Sequence, residues 1–333
     1  MADDRSRERS TAQEILEILR GAAGSLSGTE IARRLGISRA AVWKHVAELV
    51  AQGYGIARDN AAGYRLESVT PRLEPAEIER RLTTERIGRV VHHFDSIDST
   101  NRRAMELARQ GAAEGEVVLA ETQTAGRGRL GRTFFSPAGV SFYGSIVLRP
   151  AIAPARAPQV TLVAGLAVAE TIERHAKMRP GLKWPNDVHL GGLKVAGILT
   201  EMEAEADRVL HVVCGPGVNL NVPADGFPAD LTSIATSVLA TAGRTVDRVA
   251  FAADLFASFE RHYDAFLAGG LGRLRDRWDS YSVLTGCFVT VEGAGERLDG
   301  KVLGIDDEGG LRLERRGGKV ARAIAGDVTL KKT

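Results

Sequence analysis

Cysteine is scarce in this chain, with only Cys214 and Cys287 among 333 residues. Their spacing matches no metal or redox motif, and their scarcity reads as two packed thiols in a reducing compartment. A run of about 18 uninterrupted apolar residues is also missing, so no membrane-spanning helix and no membrane partner are expected. The opening decade, MADDRSRERS, is too polar for a secretory signal, which makes the cytoplasm the expected location. No internal repeat is present, nor any low-complexity tract beyond that charged decade. Net charge is small too, +2 from 44 Lys and Arg against 42 Asp and Glu. Any nucleic-acid contact must therefore come from a local cationic patch. Length and apolar content are what the chain does have: 333 residues at 44% hydrophobic composition imply two or three domains with real cores.

A cationic patch lies in the first seventy residues. Ile15, Leu16, Ile18 and Leu19 form one apolar face over residues 11–19 and predict a helix. Ser27-x-x-Glu30 is a capping-box pattern for a second helix that ends near Gly36. Ser38 is placed to cap a third, with Val42, Val46, Leu49 and Val50 on its buried stripe, Arg39, Trp43, Lys44 and Glu48 off it, and Gly53 at its end. Two short helices around a tight turn are the helix-turn-helix plan. GYGIARDNAAGYRLE then alternates around a turn-rich centre, as a β-hairpin does, with Arg58 and Arg65 on its arms. Together this resembles a winged helix-turn-helix, and residues 31–65 carry six basic side chains against two acidic ones. Ser38, Arg39, Trp43, Lys44, Arg58 and Arg65 are the expected DNA contacts. The competing reading is a small three-helix domain used for protein contacts.

Two prolines in VTPRLEPAEIERRL mark a boundary near residue 70, and the expected domains are 1–68, 69–282 and 283–333. Strand-like runs (117–121, 141–148, 194–201, 209–215) alternate irregularly with helices (100–109, 159–176, 249–267), which predicts an α+β chain with a mixed α/β central domain. Short β-prone runs at 288–292, 301–305, 311–313 and 320–324, split by GAGE, DDEGG and RGGK, predict a C-terminal SH3-like β-barrel.

Residues 126–132 read GRGRLGR, a dinucleotide fingerprint by letter and a nucleic-acid-binding Gly/Arg tail by composition. Context argues against both. A Rossmann loop must open a helix, whereas RTFFSPAGVSFYGSIVL runs through Pro137 and Gly139 into another strand. No Lys-Ser/Thr pair follows the last glycine, so this is no Walker A loop. Gly/Arg tails are usually long and terminal, but this segment lies between apolar strands.

Other constellations accompany the loop. Residues 98–101 read DSTN at a strand-to-helix junction, where Ser99 or Thr100 taken alone reads as a helix cap. Residues 183–187, KWPND, put five different chemistries at one bend, the plainer alternative being a turn with a half-buried tryptophan. KVAGIL starts an apolar strand with Lys194, which either snorkels or meets an anion. GPGVNLN ends a strand on two glycines, as expected where backbone approaches a ligand closely.

With the winged helix, DSTN, QTAGRGRLGR, KWPND, KVAGIL and GPGVNLN in this order, most of the chain resembles the biotin protein ligases, in particular the bifunctional bacterial form that also represses biotin operon transcription. The resemblance implies two steps. Biotin and Mg-ATP give biotinyl-5′-adenylate and pyrophosphate, and the adenylate then acylates one lysine of a biotin carboxyl carrier domain. No GxSxG elbow and no metal-spaced histidines occur, in keeping with chemistry carried by positioning and charge stabilisation.

By the same resemblance, Ser99, Thr100, Asn101 and Gln123 would serve the ureido ring and its surroundings. Gly126, Arg127, Gly128 and Arg129 would close over biotin, Arg127 and Arg129 as cationic forks for the biotin carboxylate and the α-phosphate, with Trp184 as an apolar wall, Lys194 as a cation, and Gly197, Gly215 and Gly217 lining the slot. ATP would meet Arg129, Arg132, Asn186, Asp187, Lys194 and Asn219. Asp187 would hold Mg2+, and Arg129, Lys194 and Asp187 would be catalytic. Leu130 departs from the pattern, standing where the bacterial repressor often has an arginine. Residues 222–236 diverge as well; they imply a flap over adenine, with Phe227 as a candidate stacking residue.

Implied partners are the carrier domain, operator DNA and, once adenylate is bound, a second copy of the chain. Ordering a loop of about six residues costs on the order of 6 to 12 kcal/mol. Residues 124–132 are therefore expected to be mobile without ligand and ordered by the adenylate. The alternatives are a lipoate-attaching or octanoyl-transferring relative, a ligand-sensing repressor without catalysis, and an active ligase whose N-terminal domain does not repress.

Overall fold

Ser10 opens the first helix, α1 (Thr11–Arg20), with a complete capping box: its hydroxyl accepts from the Gln13 amide, and the Gln13 side chain accepts from the Ser10 amide. The computed structural model describes residues 10–22, 24–59, 63–68, 72–293 and 296–331. In α2 (Gly28–Leu35) only half of the expected box forms. Ser27 Oγ accepts from the Glu30 amide at 3.1 Å, but the Glu30 carboxylate accepts from Arg34 at 2.6 Å. Gly36 ends the helix in the left-handed region (φ 66°), and Ser38 caps α3 (Arg39–Ala51) through the Ala41 amide.

β1 (Gly55–Asp59) and β2 (Gly63–Ser68) form the antiparallel hairpin. Ile15, Leu16, Leu19, Ile31, Val42, Val46 and Leu49 meet Tyr54 and Tyr64 in one core. Val50, expected on that stripe, is 48% exposed, because one residue past Leu49 the helix has turned about 100° away from the core. These elements belong to one compact unit, Met1–Ala76. The charged opening at 1–9, the hairpin tip at 60–62, the far side of the expected boundary at 68/69 and residues 294–295 of the GAGE turn lie outside the described residues.

The second unit, Glu77–Thr333, starts inside α4 (Pro75–Glu79). Its central sheet holds seven strands: β3 (Val91–Phe94), β4 (Val117–Ala120), β5 (Phe142–Leu148), β6 (Gly181–Lys183), β7 (Asp187–Leu190), β8 (Leu193–Ala204) and β9 (Val209–Val218). They lie in the order β3-β4-β5-β9-β8-β7-β6, and only β3 and β4 pair in parallel. Every residue of β4 and β5 is buried, which is why β4 reads as an unbroken apolar run and β5 as one interrupted by Ser145. α5 (Thr100–Arg109) sets Ala104 and Ala108 against Val118, Val147 and Val213. α6 (Gln159–Ala176) packs on the sheet and on α8 (Arg248–Gly269), beyond the short α7 (Val238–Ala242).

α9 (Gly272–Tyr281) follows, a polar helix with only Leu274, Trp278 and Tyr281 buried. The last strands, β10 (Phe288–Gly293), β11 (Glu296–Ile305), β12 (Leu311–Glu314), β13 (Val320–Ala323) and β14 (Asp327–Leu330), make an antiparallel sheet in the order β13-β12-β11-β10-β14. It belongs to the second unit and docks on the KWPND bend, where Trp184 Nε1 donates to the Gly309 carbonyl at 2.9 Å.

Candidate functional site

The Gly/Arg loop and its companion constellations all line one cavity of about 730 Å³. Ser99, Thr100 and Asn101 reach it from the start of α5, and Gln123, Arg127, Gly128, Arg129 and Arg132 from the connection between β4 and β5. Trp184, Asn186 and Asp187 come from the β6–β7 bend, Lys194 and Gly197 from β8, and Gly215, Gly217 and Asn219 from the end of β9. Of the residues expected to meet biotin or ATP, Gly126 alone does not line it. A Cβ at Gly126 would meet the Phe134 carbonyl oxygen at 2.5 Å and Ser136 Oγ at 2.7 Å, so its missing side chain lets the loop fold against itself.

Thr100, Asn101 and Gln123 of the cavity lining join Ser145 in one hydrogen-bonded cluster. Ser99 occupies the N-cap position of α5 but makes no capping hydrogen bond, so the plain cap reading of DSTN does not hold for its side chain. The Thr100 amide and hydroxyl donate to Gln123 Oε1 at 2.9 and 3.1 Å. Ser145 Oγ lies 2.6 Å from Asn101 Oδ1 and 2.8 Å from Thr100 Oγ1. Gly215 and Gly217 line the cavity, yet what would collide with a Cβ is protein: Asn101 Oδ1 at the first, the Phe134 ring at the second.

Four cations of the cavity lining, Arg127, Arg129, Arg132 and Lys194, each have a polar partner. Arg127 meets Glu201 at 3.0 Å, Arg129 donates to Asn186 Oδ1 at 3.0 Å, and Arg132 pairs with Asp327. Lys194 meets an anion, Asp187, at 2.7 Å. Backbone bonds from Gly128 to Arg132 and from Phe134 to Gly126 fold the loop back on itself, with a single 3-10 turn at Arg129–Gly131. Leu130 stands in the middle of that turn in the left-handed region (φ 56°) and is 76% exposed. Trp184 is 2% exposed, fully rather than half buried.

On the diverged segment, Phe227 lines the cavity and packs on Phe135, centroids 5.9 Å apart. Ile234, which no motif picks out, lines the same cavity while 57% exposed, and its carbonyl accepts from the Lys194 amide at 2.9 Å. Sequence reasoning also misses Ser145, Glu201, Asp327 and His189. Glu201 stands at the end of a run taken as apolar, and Asp327 opens a four-residue strand more than a hundred residues from the nearest motif. His189 faces the cavity with Nδ1 at 3.2 Å from the Gly192 carbonyl, and burial lowers its pKa. Among the described residues no group of three metal-ligating side chains occurs.

In the first unit Arg39, Lys44, Arg58 and Arg65 are exposed and Trp43 is 55% exposed, while the Ser38 hydroxyl is engaged as the cap of α3. Arg65 also pairs with Glu67 at 2.8 Å. No helix among the described residues is long and apolar enough to cross a membrane.

Residues 93–219 match the model of the Biotin/lipoate A/B protein ligase family, and residues 11–65 match that of an HTH domain. The bifunctional ligase/repressor BirA of Bacillus spizizenii is 40% identical over 97% of this chain and 99% of its own length. The biotin--[acetyl-CoA-carboxylase] ligase of Paracoccus denitrificans is 36% identical over 67% of this chain and 93% of its own. A solved biotin protein ligase from Aquifex aeolicus, in complex with biotin and ATP, superposes with a TM-score of 0.64 at 26% identity, covering 74% of this chain and 100% of that one.

Proposed function

The chain belongs to the biotin protein ligase family in its bifunctional ligase/repressor form, and from that membership we propose that it activates biotin with ATP and transfers it to a lysine of a carboxylase carrier domain. One observation carries the reading: motifs scattered from Ser99 to Asn219 converge on a single cavity whose lining combines uncharged hydrogen-bonding side chains with several cations. That combination suits a ligand with an uncharged ring system and an anionic tail. Ser99, Thr100, Asn101 and Gln123 bind the ring, and Arg129, Arg132 and Lys194 face the carboxylate and phosphates.

In the first step a biotin carboxylate oxygen attacks the α-phosphorus of ATP and pyrophosphate leaves. Arg129 and Lys194 offset the charge that gathers there. In the second, the acceptor amine attacks the acyl carbon of the mixed anhydride, its proton is lost, and AMP departs. Asp187, next to Lys194, orients that amine. Asp187, a carboxylate on the cavity wall, would be the protein ligand of a Mg2+ held mainly by the nucleotide's own phosphates, and the ion would there supply neutralisation of phosphate charge.

The three-part division at 68/69 and 282/283 is retained in this proposal, with the first part contacting operator DNA through α3 and the hairpin. Adenylate orders residues 124–132 and favours a dimer that binds the operator. Biotin-dependent exchange of pyrophosphate into ATP tests the central claim, with lipoate as control. Exchange with biotin and none with lipoate is expected; no exchange with biotin refutes it.

A further inference from the structure

Arg127 is not free to turn toward a ligand's anion. Its guanidinium meets Glu201 at two points, Nη2 to Oε1 at 3.0 Å and Nη1 to Oε2 at 3.2 Å. The same Oε2 accepts from Asn101 Nδ2 at 3.0 Å. From Asn101 the polar contacts run through Ser145 and Thr100 to Gln123, whose Nε2 donates to Ser136 Oγ at 3.0 Å. This path starts in the middle of the Gly/Arg loop and returns to both of its stems. Glu201 is its charged acceptor and its branch point.

We infer that Glu201 is a positioning residue that latches the loop closed over the adenylate by holding Arg127 and orienting Asn101, an inference that rests on the ligase reading. A two-point carboxylate–guanidinium pair fixes both partners in one plane, which neither an amide nor a lysine reproduces. Arg127 then acts through the loop, leaving Arg129, Arg132 and Lys194 to meet the ligand's charge. Gly215 completes the device, since a Cβ there would displace the Asn101 side chain from Glu201.

The test uses the full chain. Biotin-dependent pyrophosphate exchange by the unaltered protein comes first, followed by the release rate of preformed, radiolabelled biotinyl-adenylate from Glu201→Gln, Arg127→Gln and the double variant. Each single change is expected to speed release about tenfold, the size of a lost charge-assisted pair. The double variant is expected to release no faster than the quicker single, with melting temperatures close to that of the parent. Additive effects, or unchanged release in Glu201→Gln, overturn the latch. Should Glu201→Gln fail to fold, Arg127→Lys keeps the charge without the fork: faster release supports the latch and unchanged release overturns it. A parent protein without biotin-dependent exchange overturns the ligase reading and the latch together, whereas a competent parent with unaltered variants overturns the latch alone.

Discussion

Glycine has different roles at neighbouring positions of this site. Gly126 is packed against the Phe134 carbonyl, so Gly126→Ser forces the loop stem apart by driving a Cβ toward a backbone oxygen 2.5 Å away. Adenylate release is expected to rise about tenfold, with stray biotinylation of free lysines, because clamp contacts of a charged ligand are worth that much. Release assays and labelling of a bystander protein check it. Lys194 is tied into the site by two contacts, its side chain paired with Asp187 and its amide held by the Ile234 carbonyl. Lys194→Gln is expected to lower the exchange rate by about 10²- to 10³-fold, the usual cost of one preorganised donor, as measured at saturating biotin and ATP.

Glu170 is a carboxylate held between Arg261 and Arg277. Burial opposes its ionisation, but hydrogen bonds from His262 and Arg277 outweigh that and bring its pKa from 4.5 to about 2. A depressed carboxyl contributes stability that is fully present above pH 4.5 and is lost as the pH falls toward 2. Discounted for the water that reaches this half-buried carboxylate, the contribution is on the order of 1 kcal/mol. Denaturant melts should show the parent losing more stability than Glu170→Gln between those two pH values.

At the scale of elements, legibility follows from where the stabilising contacts lie. The expected helices at 100–109 and 159–176 coincide with α5 and α6, since the helix propensity and apolar content of a run are local properties. β6 and β7, three and four residues long, go unread because nothing in so short a run shows periodicity; β7 exists through pairing with β8, and β6 through pairing with β7. α9 is missed because its buried Leu274, Trp278 and Tyr281 are outnumbered by charges. The loop itself yields a prediction: cleavage at residues 124–132 by a protease specific for arginine should slow several-fold once biotin and ATP are added. Equal cleavage with and without them would count against ordering by the adenylate.

At the scale of the whole molecule, every residue lining the cavity belongs to the second compact unit. Residues 77–333 alone are therefore expected to retain biotin-dependent pyrophosphate exchange within a few-fold of the full chain. They are also expected to lose entirely the gel shift with the biotin operator, since the exposed Arg39 and Lys44 of α3 lie in the first unit. Parallel exchange and shift assays check both. A fragment that folds but exchanges no pyrophosphate would show that the first unit is needed for catalysis.

The sequence by itself determined the helix-turn-helix caps, the apolar runs of β4 and β5, and the identities of the motif residues, because each is set by chemistry within a few positions. Only the tertiary structure decided which acids face the loop's arginines. Glu201 and Asp327 lie 74 and 195 residues along the chain from Arg127 and Arg132, and only the sheet pairings bring them within reach. The glycines of GPGVN show the same division. Their lack of a side chain is plain in sequence, but that Asn101 and Phe134 fill the space follows from packing alone.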